Sequence, residues 1–234
     1  MLYLFTILGW AAVLSFIPMI MYATYWQFAI CIAMYFVYQV FGGNIGYHRV
    51  ATHQLFKCPR WLEIVCVLIG GLTLKSPAIY WAAQHNAHHA KSDTYDDPHS
   101  IERYGFFKAV FMIPACSDGI RLKYYAHLLR DKLYLYQRDY YWHIIVAYAA
   151  ILCLIDPFSL IYAWLAPCGL VHIAMTMAAI YSHRGGRPHN DPIFALYSFG
   201  EGWHEFHHEN PREHKFHPTL DIAGNVIDVI RVKK

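Results

Sequence analysis

The chain has 234 residues, of which 57% are hydrophobic and 15% charged, and its formal net charge is +3 at pH 7. Soluble domains carry about 25% charged residues, and here the charges are unevenly placed: none precedes Arg49, and Asp156 is the only one between Asp139 and Arg184. A soluble domain is thereby excluded, and an all-α integral membrane protein is expected, because helices satisfy their own backbone in lipid.

About 20 consecutive apolar residues cross a bilayer as a helix. Four transmembrane helices are predicted, over 2–22, 25–43, 141–158 and 159–181. Pro18 is expected to kink the first. That stretch has neither the basic n-region nor the small-residue cleavage site of a signal peptide, so it is read as a membrane helix. The segment 61–81 holds the apolar run Ile64–Leu74, broken by Gly70-Gly71, Lys75 and Pro77. Its short run and terminal charge predict an interfacial or re-entrant segment. Twelve Lys and Arg lie between Arg49 and Arg138, and seven lie from Arg184 onward. The positive-inside rule then places both basic blocks and both termini in the cytoplasm after four crossings. No internal repeat or linker divides the chain, so a single domain over 1–234 is expected.

The six cysteines form no C-x-x-C pair, and several sit in apolar runs, so no disulfide framework is expected. Lys and Arg make no run longer than Lys233-Lys234, and no nucleic-acid partner is expected.

The outlier is histidine, with 16 residues in clusters. The clusters are His48-Arg-Val-Ala-Thr-His53, His85-Asn-Ala-His88-His89 and His204-Glu-Phe-His207-His208. In the second and third, the i, i+3, i+4 spacing puts three imidazoles on one helix face. The first pair, at i and i+5, would be about 140° apart on a regular helix. It fits better where a helix ends, which Gly42, Gly43 and Gly46 permit. With His183 just after the fourth crossing, nine histidines fall on one side of the membrane. Imidazole suits several transition metals, and nine exceed what one tetrahedral zinc can use, so a His-rich di-metal cap is predicted. Glu201-x-x-His204 and Glu205-x-x-His208 match part of a carboxylate-type di-iron site, but the other clusters supply no matching Glu. His204-Glu205-x-x-His208 also reads as the zinc metalloprotease signature. That alternative, a membrane protease, leaves the first two clusters unexplained.

The three boxes, H-x4-H, H-x2-HH and H-x2-HH, resemble those of the membrane fatty acid desaturases, of the stearoyl-CoA (delta-9) type. The resemblance extends to Trp81, Asp97-Pro98-His99, Gly105-Phe106-Phe107, Gly200-Glu201-Gly202-Trp203 and Pro211, and covers roughly residues 20–230. It implies four membrane helices, a cytoplasmic cap with two Fe ions, O2 as oxidant, and a separate electron donor of cytochrome b5 or ferredoxin type. It also implies metal ligation by His48, His53, His85, His88, His89, His183, His204, His207 and His208. Two departures stand out. Ala179 occupies the place of a family Asn that holds a metal-bound water. Ala83-Gln84 replaces an Arg-Asp pair whose Arg helps to bind CoA in acyl-CoA members, which leaves acyl-CoA, acyl-lipid and acyl-carrier substrates all open.

The expected reaction introduces a cis double bond, delta-9-like, into an acyl chain. Removing hydrogens from unactivated methylenes is beyond side-chain acids and bases, so the metals carry the chemistry and the protein orients. Asp97 and Glu201 are the favoured carboxylates to orient the imidazoles, with Asp93, Glu205 and Glu209 also near. Trp81 and Trp203 are expected to line an acyl tunnel. His172 is intramembrane and a functional candidate on that ground. The alternatives are a hydroxylase or ketolase on the same scaffold, in which oxygen rebinds, and a metal transporter, which would need ligands along the crossings.

Overall fold

In the computed structural model, which describes residues 2–111 and 121–232, every apolar stretch is helical. Among the described residues there is no strand beyond the isolated bridge Asn190–Trp203. Cys116 lies outside them, and the other five cysteines are unpaired.

Helices α1 (Leu2–Leu14) and α2 (Phe16–Tyr22) together give the candidate span Leu4–Tyr22. Pro18 has no N–H for the Leu14 carbonyl, and the helix breaks at Ser15, whose Oγ caps the Ala12 carbonyl at 2.6 Å. Thr24 then opens α3 (Tyr25–Phe36) with a capping box: Gln27 N donates to Thr24 Oγ1, and Thr24 N to Gln27 Oε1.

The second span departs from expectation. Rather than ending near residue 43, the helix continues as a π-helix over Val37–Thr52, giving the 28-residue span Tyr25–Thr52. Its glycines do not stop it. They let α4 (Arg60–Leu72) lie close alongside: a methyl at Gly46 would stand 2.5 Å from the Cys66 carbonyl oxygen, and Gly70 faces the Tyr47 ring.

The chain leaves α4 through 73–77 and turns into α5 (Ala78–Lys91). The last carbonyls of α4 are satisfied inside the bundle. Gly71 O accepts from Tyr141 OH at 2.9 Å, and Leu72 O accepts from Trp164 Nε1 at 2.8 Å. Tyr47 OH donates to Ser76 O and accepts from Gln137 Nε2. Non-helical backbone at membrane depth persists only where protein covers it, as here. His53 before this hairpin and His85 after it come to 3.1 Å, so the chain departs and returns on one side of the bundle.

Short helices α6 (Ile101–Tyr104) and α7 (Phe106–Val110) follow. Helices α8 (Lys132–Asp139) and α9 (Tyr141–Ile155) meet at 67° and form a bent candidate span. α9 stops at 155 rather than 158, because Pro157 cannot continue it. A second π-wound stretch, Leu160–Leu165, runs into α10 (Ala166–Ile180), and the two make the span Leu160–Ile180. With the bent pair counted, four candidate spans correspond to the four predicted. Helices α11 (Pro192–Tyr197), α12 (His204–Glu209) and α13 (Ile222–Ile230) complete the cap.

The bundle core holds Phe5, Tyr38, Tyr141, Trp164 and Val171. Outside it, Ile20 (72% exposed), Val146 (66%) and Leu154 (88%) face outward. So much exposed aliphatic surface is a lipid-facing belt rather than a water-facing one.

Candidate metal centre

The nine predicted histidines converge. His48, His53, His85, His89 and His207 form one group, and His88, His183, His204 and His208 form another. Within each group the ligand nitrogens all lie within 4.8 Å of one another. The Nε2 atoms run His48–His207 2.9 Å, His207–His89 2.9 Å, His89–His85 3.0 Å and His85–His53 3.1 Å in the first group. In the second they run His88–His183 3.2 Å, His183–His204 2.8 Å and His204–His208 3.1 Å. The two groups abut where the His89 and His208 rings stack at 4.2 Å.

Local winding delivers each ligand. In α5, His85 and His89 are one turn apart and serve the first group, while His88 turns toward the second. α12 splits likewise, His204 and His208 to one group and His207 to the other. The H-x4-H box uses different geometry. His53 caps the π-helix, and its N–H bonds the His48 carbonyl at 3.1 Å. An i→i+5 turn stacks residue i+5 over residue i, so the pair shares a face with rings 4.9 Å apart. The helix does end at this box, but the expected 140° separation is corrected by its winding.

Carboxylates fix three of the rings. His48 Nδ1–H donates to Glu201 Oε2 at 2.7 Å, His88 Nδ1–H faces both Asp97 oxygens at 2.9 Å, and His183 Nδ1–H faces Asp93 at 3.0 Å. With the proton held at Nδ1, each Nε2 carries a lone pair pointing inward. His88 and His183 thus bring two lone pairs to 3.2 Å, with no proton to share. Such an array repels itself unless a cation sits among the nitrogens. The donor set therefore fits two metal ions, one per group.

Electrostatics agrees. Burial, then the neighbouring imidazoles, holds His53, His85, His204 and His207 well below the usual histidine range, and His208 at about 2. Neutral imidazole is the ligand form. Burial alone would raise the Glu201 carboxyl, but His48 and Arg49 hold it below its usual value. Asp97 follows the same pattern, with His88 and His99 outweighing its burial.

Arg49, between the ligands of the first box, is a functional residue that sequence reasoning missed. It is fully buried, donates to Glu201 Oε1 at 2.7 Å, and grips Asp221 with Nη2 at 3.1 and 3.2 Å. Asp221 also caps α13 through Gly224 N and accepts from Phe216 N. The Arg49 guanidinium lies 4.0 Å over the Phe216 ring, which packs on His207. One cation thereby ties the C-terminal helix to both the first and third boxes.

Other predicted residues separate. One cavity opens onto His48, His85, His88 and His204 and is lined by Trp81. Trp203 does not line it: its ring stacks on His217 at 4.2 Å, and Nε1 donates to Leu220 O. Glu205 accepts from Asn190 at the surface and belongs to neither group, and Glu209 is exposed. The single-zinc protease reading, which needs Glu205 as base beside the metal, is thereby corrected. His143 is exposed on α9, and His189 and His214 bond Arg184 O and Asp228. Beside Ala179 a second cavity is bounded by His99, Ser100, Asp93 and Asp97, so polar groups from another segment face the place where an Asn was expected.

Comparison with known proteins agrees with this geometry. A sequence profile described as fatty acid desaturase matches residues 22–217. The acyl-CoA C20 Delta5-desaturase of Anemone leveillei is 30% identical over 199 residues, covering 78% of this chain and 62% of that protein. The sn-1 stearoyl-lipid 9-desaturase of Anabaena variabilis is 29% identical over 193 residues, covering 76% and 70%. The stearoyl-CoA desaturase of Mesocricetus auratus is 26% identical over 215 residues, covering 82% and 59%. The chain thus spans about three fifths to seven tenths of the length of these relatives. Its match takes in all three histidine boxes, the same residues that meet around the two nitrogen-lined centres, and the chain belongs to the fatty acid desaturase family.

Proposed function

We propose that the chain is a membrane fatty acyl desaturase that uses two histidine-held iron ions, O2 and electrons from a separate protein donor of cytochrome b5 or ferredoxin type. The reaction converts –CH2–CH2– to –CH=CH–, and the two hydrogens removed combine with O2, two donor electrons and two protons to give two waters. The observation that carries it is the convergence of nine histidines, as five and four, beside one cavity that four of them line and that apolar residues of α10 wall. Val171, Ala174, Met175 and Ala178 recur at i, i+3, i+4 and i+7, forming one stripe along that cavity.

A bound iron pair supplies the oxidising power for unactivated C–H bonds, which no side chain here can supply. The chain's own residues do the rest. Glu201, Asp97 and Asp93 hold His48, His88 and His183 in the tautomer that presents Nε2. The α10 stripe and Trp81 hold a chain beside the ligands, and proximity selects the carbons that react. The names of the relatives divide between acyl-CoA and acyl-lipid substrates and between the 5 and 9 positions. Gln84 and Ala83, next to His85, offer no cation to a CoA phosphate, which favours an acyl-lipid or acyl-carrier substrate here. A delta-9-like position is the working assignment. The charge distribution supports termini and boxes on the cytoplasmic side.

The test is the fatty-acid profile, by gas chromatography–mass spectrometry, of a host expressing this chain with a compatible donor, beside its His88→Ala variant. A new unsaturated acid with the intact chain alone is expected, and derivatisation locates the bond. Hydroxylated products alone would replace desaturation by hydroxylation on the same scaffold.

A further inference from the structure

The cavity that meets the histidine centre also contains a lysine. Lys75, at the tip of the α4–α5 hairpin, lines it together with Thr73, Ser76 and His172 of α10. His172 is 1% exposed and packs against Trp10. Eight helical residues, about 12 Å at 1.5 Å each, separate it from Ile180, where α10 ends just before the ligand His183. The pair therefore lies deep in the bundle.

Lys75 Nζ bonds His172 Nδ1. A lysine nitrogen carries at least two N–H donors, three as the ammonium, so at least one remains. Among the described residues no carboxylate pairs with Lys75; the lysine ion pairs there belong to Lys91 and Lys215. His172 Nε2 has no hydrogen-bond partner among them either. Burying an ammonium with spare donors is costly unless an acceptor meets it. A channel for an unsubstituted hydrocarbon needs neither group. Its natural wall is the one supplied by Val171, Ala174 and Met175.

We propose that Lys75, held by His172, is a substrate-binding residue that receives a hydrogen-bond-accepting oxygen on the long-chain substrate. The oxygen belongs to a keto or hydroxy group along the chain, or to a carboxylate at its end. This rests on the reading of the cavity as an acyl channel. It goes beyond that reading by assigning the channel an oxygenated occupant and naming the residue that selects it.

The test is binding, which needs neither O2 nor electrons and so does not depend on turnover. The full chain in detergent is loaded with methyl parinarate, a fluorescent polyene ester. Displacement is then measured with methyl stearate, with methyl oxostearates carrying the ketone at successive carbons, and with free stearate. A charge-assisted hydrogen bond is expected to make one oxostearate displace the probe about 10-fold more tightly than methyl stearate. Lys75→Met, similar in length and without donors, should abolish the preference. Lys75→Gln, a neutral donor, should retain part of it. A Lys75-dependent gain confined to free stearate would support the proposal and identify a terminal carboxylate as the oxygen. If no oxygenated chain gains more than about twofold, or the gain survives in Lys75→Met, the proposal is overturned. Thermal melts of both variants confirm folding. Failure of desaturation in the expression assay with the ketone preference intact would overturn the reaction and leave this site standing.

Discussion

Replacing Glu201 by Gln probes how the first group is held. The carboxylate accepts two buried hydrogen bonds, from His48 Nδ1 and Arg49 Nη1, both at 2.7 Å. A Gln has one oxygen for these two donors. If the oxygen stays on Arg49, the amide N–H faces His48 Nδ1, which must then become an acceptor. The imidazole proton moves to Nε2, the nitrogen aimed at His207, and one metal-binding lone pair disappears. If the oxygen stays on His48, the amide N–H meets the guanidinium, donor against donor, while Arg49 keeps Asp221. Either way one charge-assisted bond, worth about 1.5–3 kcal/mol, is lost beside His48. Loss of such an orienting partner lowers metal affinity about 10–100-fold, or about 1.4–2.7 kcal/mol. The second group, oriented by Asp97 and Asp93, should be unaffected. The assay is metal content per chain by mass spectrometry after dialysis against graded chelator. Wild type should release its two ions over a high chelator range, and Glu201→Gln should release one of them at about 10–100-fold lower chelator. Identical release profiles in a folded variant would refute the assignment of Glu201 as the orienting carboxylate, and simultaneous loss of both ions would refute the independence of the groups.

Four further outcomes follow from the same geometry. Arg49→Met leaves Asp221 buried without a cation, and Glu201 with only His48, and should cost about 3–5 kcal/mol. Arg60→Ala, which removes a 48% exposed partner of Asp131 and Glu63, should cost under about 1 kcal/mol; thermal melts in detergent compare the two. Chelator-treated protein should lose stability as pH falls below about 6.5, because the unfolded histidines take up protons there while the buried ones, held well below that value, do not. That contribution is full above about pH 6.5 and is lost toward the depressed folded values, so melts from about pH 7.5 to about pH 5.5 should fall steadily, and a flat profile would contradict the burial of neutral rings. Gly70→Ala drives a methyl into the Tyr47 ring, 2.4 Å away, and should release the Tyr47–Ser76 and Gln137–Tyr47 bonds, read as a lower melting temperature and faster proteolysis at 73–77.

The spans and the ligands were legible for different reasons. Spans show in composition, because lipid forbids charge over about 20 residues, and the stretches around 2–22 and 159–181 appear nearly as read. Ligands show in spacing, since i, i+3, i+4 has few other uses for histidine. The H-x4-H box was less legible: i+5 is unremarkable on an α-helix, and only π winding gives it meaning, which propensity does not announce. Arg49 was hidden by position, for a cation just past a membrane span reads as a topology signal. Its partner Asp221 lies 172 residues away with no motif around it. Trp203 misled because it adjoins a ligand, yet its ring turns to His217. Lys75 read only as a charge that shortens an apolar run, and its place in the cavity depends on a tertiary fold that no local pattern encodes.

The clamp on Arg49 also sets a schedule for making the protein. Synthesis proceeds at about 5–20 residues per second, so a nascent Arg49 precedes Asp221 by roughly 10–30 seconds. Over that interval the first two boxes can already be inserted beside the bilayer, while the third box and the acid that neutralises Arg49 are still unmade. Until they arrive, the guanidinium must stay hydrated at the membrane surface, and the first group has four of its five histidines while the second has at most two of its four. Completion of the second group is therefore one of the last events in the life of the new chain, and a break in translation before His204 would leave a membrane-inserted polypeptide with only two of that group's four histidines.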